Sequence, residues 1–327
     1  MRLVDRYGRV HTDLRVSLTD RCSLRCSYCM PAGPPPLIGS ARILTRGELV
    51  RAVGLLIGLG IRQVRLTGGE PLLRPDVVET VAALRGLPDP PTLALTTNAL
   101  RLAALAAPLA AAGLARVNIS LDTLRRDRFR AITGRDRLVD VLAGITAARA
   151  AGLTPVKVNA VLLRGVNDDE AVDLLDWALG EGVDLRFVEQ MPIGAPYAAT
   201  RATMVAAGEI LARLGDRYRL DPVPGRGSAP AQRWLVDGGP ATVGVIAAVT
   251  RPFCGDCDRL RLTADGQLRP CLFARDECDL RGSMRGGADD AELAGLVHRC
   301  VAGKRAGHGI GEVDFLGPRR PMSAIGG

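Results

Sequence analysis

Aromatic residues make up only 3% of the 327-residue chain, histidine occurs three times, and the arginines are spread rather than run together. Each shortage weakens a class of function. Surfaces that hold single-stranded nucleic acid use rings as stacking platforms, and this chain has few to offer. His11, His298 and His308 leave little choice for histidine acid–base catalysis. The most apolar long run, Leu102 to Ala115, is too short to span a membrane and holds Pro108 and Gly113. The opening Met1-Arg2-Leu3-Val4-Asp5 lacks the basic flank, apolar core and cleavage site of a secretory leader. The expectation is a soluble protein of a reducing cytoplasm, with no membrane partner. A Walker phosphate loop is also missing, since Gly303-Lys304 is followed by Arg305 with no glycine at the required upstream position. A nucleotide would therefore be held by separated cations.

What is present is ordinary for a globular protein: 47% hydrophobic and 24% charged residues. The length predicts one large domain or two unequal ones. A net charge of +8 and a pI near 9.4 favour an anionic partner, which can be nucleic acid, a membrane surface or a phosphorylated small molecule.

The chemistry concentrates in cysteine. Cys22, Cys26 and Cys29 stand at C-x3-C-x2-C spacing directly after an apolar strand-like run. Thiolates are soft ligands suited to zinc or iron–sulfur centres. Three of them leave one position free to bind a reactant, unless a fourth ligand from elsewhere closes a structural zinc site. A second group comprises Cys254, Cys257 and Cys271. Arg259 to Thr263 and Gln267 to Pro270 flank Ala264-Asp265-Gly266 and read as a hairpin, which returns Cys271 to the Cys254–Cys257 end. Cys278 can supply a fourth sulfur, so a closed zinc site stays open here too. Cys300 shares a helical stripe with Leu293, Leu296 and Val297 and reads as core. Arg259 and Arg261 point to one face of their strand and suit phosphate oxygens, the alternative being a solvated basic strand.

Strands are predicted at Leu14 to Leu18, Gln63 to Leu66, Thr92 to Leu95, Arg116 to Ser120, Val156 to Leu162 and Asp184 to Val188, with helices between them. Asp136 is expected to cap one helix, and Asn167 with Glu170 to form a capping box for another. Six strand–helix units imply parallel strands with right-handed crossovers, in a barrel-like or an open doubly wound sheet. In a parallel barrel the reactive centre lies at the carboxyl ends of the strands. Gly68 and Gly69 follow the second strand and allow close backbone approach to a ligand, or else form an ordinary strand-to-helix turn. The pattern breaks after Met191, and the loop from Asp221 to Ser228 sets an expected boundary between residues 1–222 and 223–327. The glycine- and proline-rich tail from Gly307 to Gly327 reads as open to disorder.

In order along the chain, Cys22 to Pro31, Arg65 to Pro71, Thr96-Thr97-Asn98, Lys157-Val158-Asn159, Phe253 to Phe273 and Gly326-Gly327 together resemble one family. It is the GTP 3',8-cyclases of molybdenum cofactor biosynthesis, within the radical S-adenosylmethionine (SAM) superfamily. The resemblance implies an incomplete (β/α)6 barrel with a smaller C-terminal α+β region. It implies two [4Fe-4S] clusters, one on Cys22, Cys26 and Cys29 with SAM on its open iron, the other on Cys254, Cys257 and Cys271. It assigns SAM contacts to Tyr28, Gly69, Ser120 and Met191, and GTP contacts to Arg15, Arg65, Thr96, Lys157, Arg259, Leu260 and Arg261. It brings Gly326 and Gly327 to the catalytic centre. The implied reaction uses a 5'-deoxyadenosyl radical to remove the ribose 3' hydrogen of GTP, after which C3' closes onto C8. Implied partners are a reductant protein, a second copy in a homodimer and the downstream cyclic pyranopterin monophosphate synthase, with no nucleic acid. A radical SAM enzyme acting on a peptide and a zinc-stabilised nucleic-acid binder are the other readings.

Overall fold

The computed structural model describes residues 2–30, 33, 37–193, 197–313 and 315–326. Six strands carry the N-terminal two-thirds: β1 (Asp13–Ser17), β2 (Gln63–Thr67), β3 (Thr92–Thr97), β4 (Arg116–Ser120), β5 (Lys157–Val161) and β6 (Asp184–Val188). They lie side by side in chain order, each parallel to the next.

The remaining strands are β7 (Leu220–Pro222), β8 (Gln232–Val236), β9 (Thr242–Ile246), β10 (Arg259–Leu262), β11 (Gln267–Arg269) and β12 (Cys278–Asp279). They join the same sheet from both sides. β9 adds parallel to β6, and β10 adds parallel to β1. The alternation therefore does not stop at Met191. Helix Ala207–Gly215 lies between β6 and β9, and the short β7–β8 hairpin is inserted between them. Asp221 and Pro222, expected in a loop, pair with Leu235 and Trp234.

Alternation within the strands decides which face does what. Leu14, Val16, Val64, Leu66, Val117, Ile119, Val158, Leu185 and Phe187 are buried in one core with the flanking helices. The positions between them carry Arg15, Arg65, Thr96, Asn118, Lys157 and Arg186, which share the opposite face. Parallel strands covered on both faces normally read as unbroken apolar runs. A polar second face on this sheet marks a cavity rather than a packed layer.

Helix Arg46–Gly58 starts at a capping box, in which the Thr45 side chain accepts from Glu48 N and Glu48 accepts from Thr45 N. Two expected caps are not made. Asp136 pairs with Arg126 through two contacts of 2.7 Å, and Arg137 stands at the N-cap of helix Leu138–Ala150 without a side-chain cap. Asn167 and Glu170 turn inward instead. Asn167 Nδ2 donates to the carbonyls of Asp122 and Val161, while Glu170 accepts from the Thr123 hydroxyl and Leu124 N. A buried polar side chain takes the partners that would otherwise be left unpaired, and here those are loop groups after β4 and β5.

Candidate active site

Strand direction separates the two cysteine groups. Cys22, Cys26 and Cys29 follow the carboxyl end of β1, whereas Cys254 and Cys257 precede the amino end of β10. β1 and β10 run parallel with Asp13 opposite Arg259 and Arg15 opposite Arg261. β11 returns antiparallel to β10 and so delivers Cys271 to the Cys254–Cys257 end. One thiol set thus lies beyond each end of the strands, with the polar face between them.

The first loop is pinned on several sides. Arg25 N and Ser27 N donate to the carbonyls of Thr133 and Ile132, and Cys29 N to that of Cys26. The Tyr28 hydroxyl donates to Asp122 at 2.8 Å, and Asp122 also accepts from Val161 N. Asn98 Nδ2 reaches Ser23 Oγ at 3.1 Å and Cys22 Sγ at 3.8 Å. Glu70, fully buried, accepts from Leu72 N, Asn98 N and the Thr97 hydroxyl, and burial pushes it up to about 7. Gly68 and Gly69 turn out to serve the chain's own backbone. Gly69 N donates to Thr19 O and Glu70 N to Arg21 O, both at 2.7 Å, and a Cβ on Gly69 would sit 2.3 Å from Arg21 O. The close approach read from these glycines is made by the segment that leads into Cys22.

Burial pushes the Cys29 thiol up to about 12, with Cys22 and Asp122 adding to the rise, and Cys26 is raised for the same reason. Crowded, water-poor thiols without an ion pair call for a cationic centre that lets them deprotonate. Among the described residues no three His, Cys, Asp or Glu side chains gather tightly enough to hold one metal ion. Three soft thiols on one buried loop are the donor set of an iron–sulfur cluster, and these residues fit one.

The polar face between the thiol groups is a wall of cations. Arg261, Arg15 and Arg65 stand opposite one another across three neighbouring strands. Thr96, Asn118 and Lys157 form the adjoining row on β3, β4 and β5. Burial and then the Arg65 charge lower Arg15 to about 9, and burial lowers Arg65 to about 10. Lys157 drops to about 8 through burial and the nearby Arg186, and its ion pair with Asp184 is long at 3.9 Å. Arg15 Nε, Arg65 Nε and Arg259 Nη2 are buried without a hydrogen-bond partner. Such groups are unfavourable until a matching anion arrives. A cleft of about 200 Å³ extends this wall between Lys157, Arg186, Arg226 and Arg233.

In the second thiol group Cys254 is raised by burial first, with the nearby Cys271 and Cys257 adding to the rise. Cys257 is lowered; its burial acts the other way, but Arg259 and Lys304 outweigh it. Buried Cys300 donates to Leu268 O, and Cys278 lines one cavity with Cys271 and Cys300.

The tail is anchored. Arg320 pairs with Asp265 and Glu277, and Arg261 donates to the Gly326 carbonyl. Gly326 has φ +91°, and a Cβ there would lie 2.6 Å from Thr67 Oγ1 and 3.1 Å from Ser17 Cβ. It thus sits on the inner face of β1 and β2, one residue pair beyond Arg15 and Arg65. Gly327 and Pro31 lie outside the described residues. Ser120 ends β4 opposite Asn159, and Met191 follows β6, both on the carboxyl-end side with the first thiol loop. Leu260, in contrast, is wholly buried on the other face of β10, so only its backbone borders the cavity. Sequence reasoning missed Arg186, Glu70, Asp122 and Lys304 as site residues. Arg186 was legible as the polar position between buried Leu185 and Phe187; the two carboxylates carry no local signal.

The chain is similar to known proteins over nearly its full length. The Radical SAM superfamily matches residues 16–178, and the Molybdenum Cofactor Synthesis C family matches residues 183–310. The chain is 56% identical to the GTP 3',8-cyclase of Streptomyces coelicolor, covering 99% of this chain and 96% of that protein. It is 53% identical to the GTP 3',8-cyclase of Rhodococcus opacus, covering 99% and 93%. Among solved structures, Streptococcus suis SuiB bound to S-adenosylmethionine superposes with a TM-score of 0.58 over 89% of this chain and 69% of that one, at 14% identity. Native anSMEcpe with bound AdoMet gives 0.58 over 91% and 82%, at 12% identity. These two likenesses speak to the fold.

Proposed function

From its membership of the GTP 3',8-cyclase family, we propose that this chain grips the triphosphate of GTP on its wall of cations, between a SAM-binding cluster at one end and a second cluster at the other. The chain is a radical SAM enzyme that converts GTP to 3',8-cyclo-7,8-dihydro-GTP in the first step of molybdenum cofactor biosynthesis. The observation that carries the site assignment is the position of Arg15, Arg65 and Arg261 between two separated thiol triads, with buried donors left unpaired.

Cys22, Cys26 and Cys29 hold the first cluster, and Cys254, Cys257 and Cys271 the second. When bound, the first cluster and SAM supply the radical that takes the ribose 3' hydrogen. The chain's own work is positioning. Tyr28, Gly69, Ser120 and Met191 border SAM at the carboxyl ends of the strands. Arg15, Arg65, Thr96, Lys157, Arg259, the backbone of Leu260 and Arg261 fix GTP. Gly326 and Gly327 close the cavity beside the ribose, and the closed space keeps water from the reactive carbon. The division at 222/223 separates the strands that carry the SAM end from the region that carries the second triad. A cytoplasmic location, a homodimer, a reductant protein and a downstream cyclic pyranopterin monophosphate synthase go with the family's role. Among the described residues no helix is long and apolar enough to cross a membrane.

The test is anaerobic turnover of the reconstituted, reduced protein with SAM, scoring 5'-deoxyadenosine and cyclised product with GTP, ATP or no nucleotide. GTP-dependent cyclised product is expected. Release of 5'-deoxyadenosine regardless of nucleotide would remove GTP as the substrate of this site.

Lys157 adds a pH signature. Its ammonium is lost from the ligand-free protein as pH rises through about 8, whereas an unfolded chain keeps it to 10.5. Below pH 8 the charged, desolvated lysine therefore weakens the empty fold, and that penalty fades between 8 and 10.5. Triphosphate binding runs the other way. The KM for GTP is expected to rise about tenfold per pH unit well above 8. In Lys157→Arg, whose charge persists, that limb should be absent.

A further inference from the structure

Of the 43 basic residues only two are lysines, Lys157 and Lys304; the rest are arginine. Lys157 belongs to the cation wall. Lys304 lies elsewhere, just past helix Asp290–Ala302, and it is 3% exposed. Its ammonium donates to Arg259 O at 2.8 Å, Cys257 O at 3.3 Å and Cys257 Sγ at 3.5 Å. All three donors are thereby used. Among the described residues no carboxylate pairs with it. Nearby Arg9 shows the contrast: it bonds Cys254 O, Arg305 O and Ala306 O, yet its charge is balanced by Asp5 at 2.6 Å.

A buried cation without a counter-charge is costly, and the anionic groups its surroundings can supply are the thiolates of Cys257, which it touches, and Cys271. Resting on the reading of Cys254, Cys257 and Cys271 as cluster ligands, we propose that Lys304 is the built-in counter-ion of the second cluster and sets its reduction potential. Three thiolates outweigh the two positive charges of an oxidised four-iron core, and one-electron reduction adds a further negative charge. A fixed ammonium against one ligand sulfur stabilises the reduced form more than the oxidised one, both by its charge and by its N–H to sulfur bond. Lys304 is a positioning residue in this sense: it reaches the cluster only through Cys257.

The experiment uses the full chain with Cys22, Cys26 and Cys29 replaced by alanine, so that only the second site can load. Iron is counted, and the cluster signal is followed by electron paramagnetic resonance through a potentiometric titration. In Lys304→Gln and Lys304→Met the equilibrium constant for one-electron reduction should fall at least tenfold, a shift of about 59 mV to lower potential. Lys304→Arg, which keeps the charge, should stay nearer the parent. Loaded Gln and Met variants with the parent's potential overturn the proposal. If Gln and Met lose the iron while Arg keeps it, the charge requirement stands. If all three lose it, Lys304 is a packing residue and the proposal falls. A parent that holds no four-iron cluster overturns the reading of the second triad itself, which is a separate result.

Discussion

Gly69→Ala is expected to abolish turnover while leaving the fold intact. The added methyl would stand 2.3 Å from Arg21 O and 2.6 Å from Arg21 C, both backbone atoms that cannot swing aside. Relief requires the segment before Cys22 to move away from β2, breaking the hydrogen bonds from Gly69 N to Thr19 O and from Glu70 N to Arg21 O. A displacement of about 1 Å in a reacting group costs on the order of 10²-fold in rate. Activity below about 1% of the parent should therefore accompany retained helical circular dichroism, with iron content falling toward the second site's share. Gly47→Ala, where a Cβ meets nothing within 4 Å, is the control. An active Gly69→Ala enzyme would mean that the first thiol loop does not depend on this contact.

Arg261→Met should be the most damaging single change on the cation wall. Arg261 is buried opposite Arg15 and donates to the carbonyl of Gly326. It therefore joins the proposed phosphate contact to the tail. A hydrogen bond to a charged group contributes about 1.5–3 kcal/mol, so losing two such contacts predicts a kcat/KM for GTP lower by about 10³-fold. Arg15→Met lacks the tail contact and should lose about 10²-fold by the same reasoning. Arg261→Met should also release 5'-deoxyadenosine without cyclised product and expose residues 320–326 to limited proteolysis. A variant within threefold of the parent, with an equally protected tail, would contradict both roles.

Much of this was legible in the sequence because the signals were local. The six predicted strands match β1 to β6 within a residue or two, since apolar positions recur between turn residues. The thiol triads announced themselves by spacing, and the β10–β11 hairpin by Ala264-Asp265-Gly266. What stayed hidden was set by partners far along the chain. Asp136 and Asn167 looked like caps because a short polar residue before an apolar run normally caps, yet Arg126 and the Asp122 carbonyl offered better partners. The tail looked open to disorder, but Arg320 and Gly326 are held by Asp265, Glu277 and Arg261. Composition cannot see a tertiary latch.

The placement of β10 beside β1 carries a consequence for how the chain is made. β1 is made before the other strands of the sheet, and β2 covers one of its edges soon after. Its other edge has no partner until residue 259 has been synthesised. Through most of translation the nascent sheet thus presents an unpaired parallel edge of the kind that invites pairing with other chains. Arg15 stands on that edge strand, with Arg65 on β2 directly behind it, and like charges discourage two nascent copies from docking edge to edge. The cations proposed to hold the triphosphate would then also keep the unfinished chain apart from others like it.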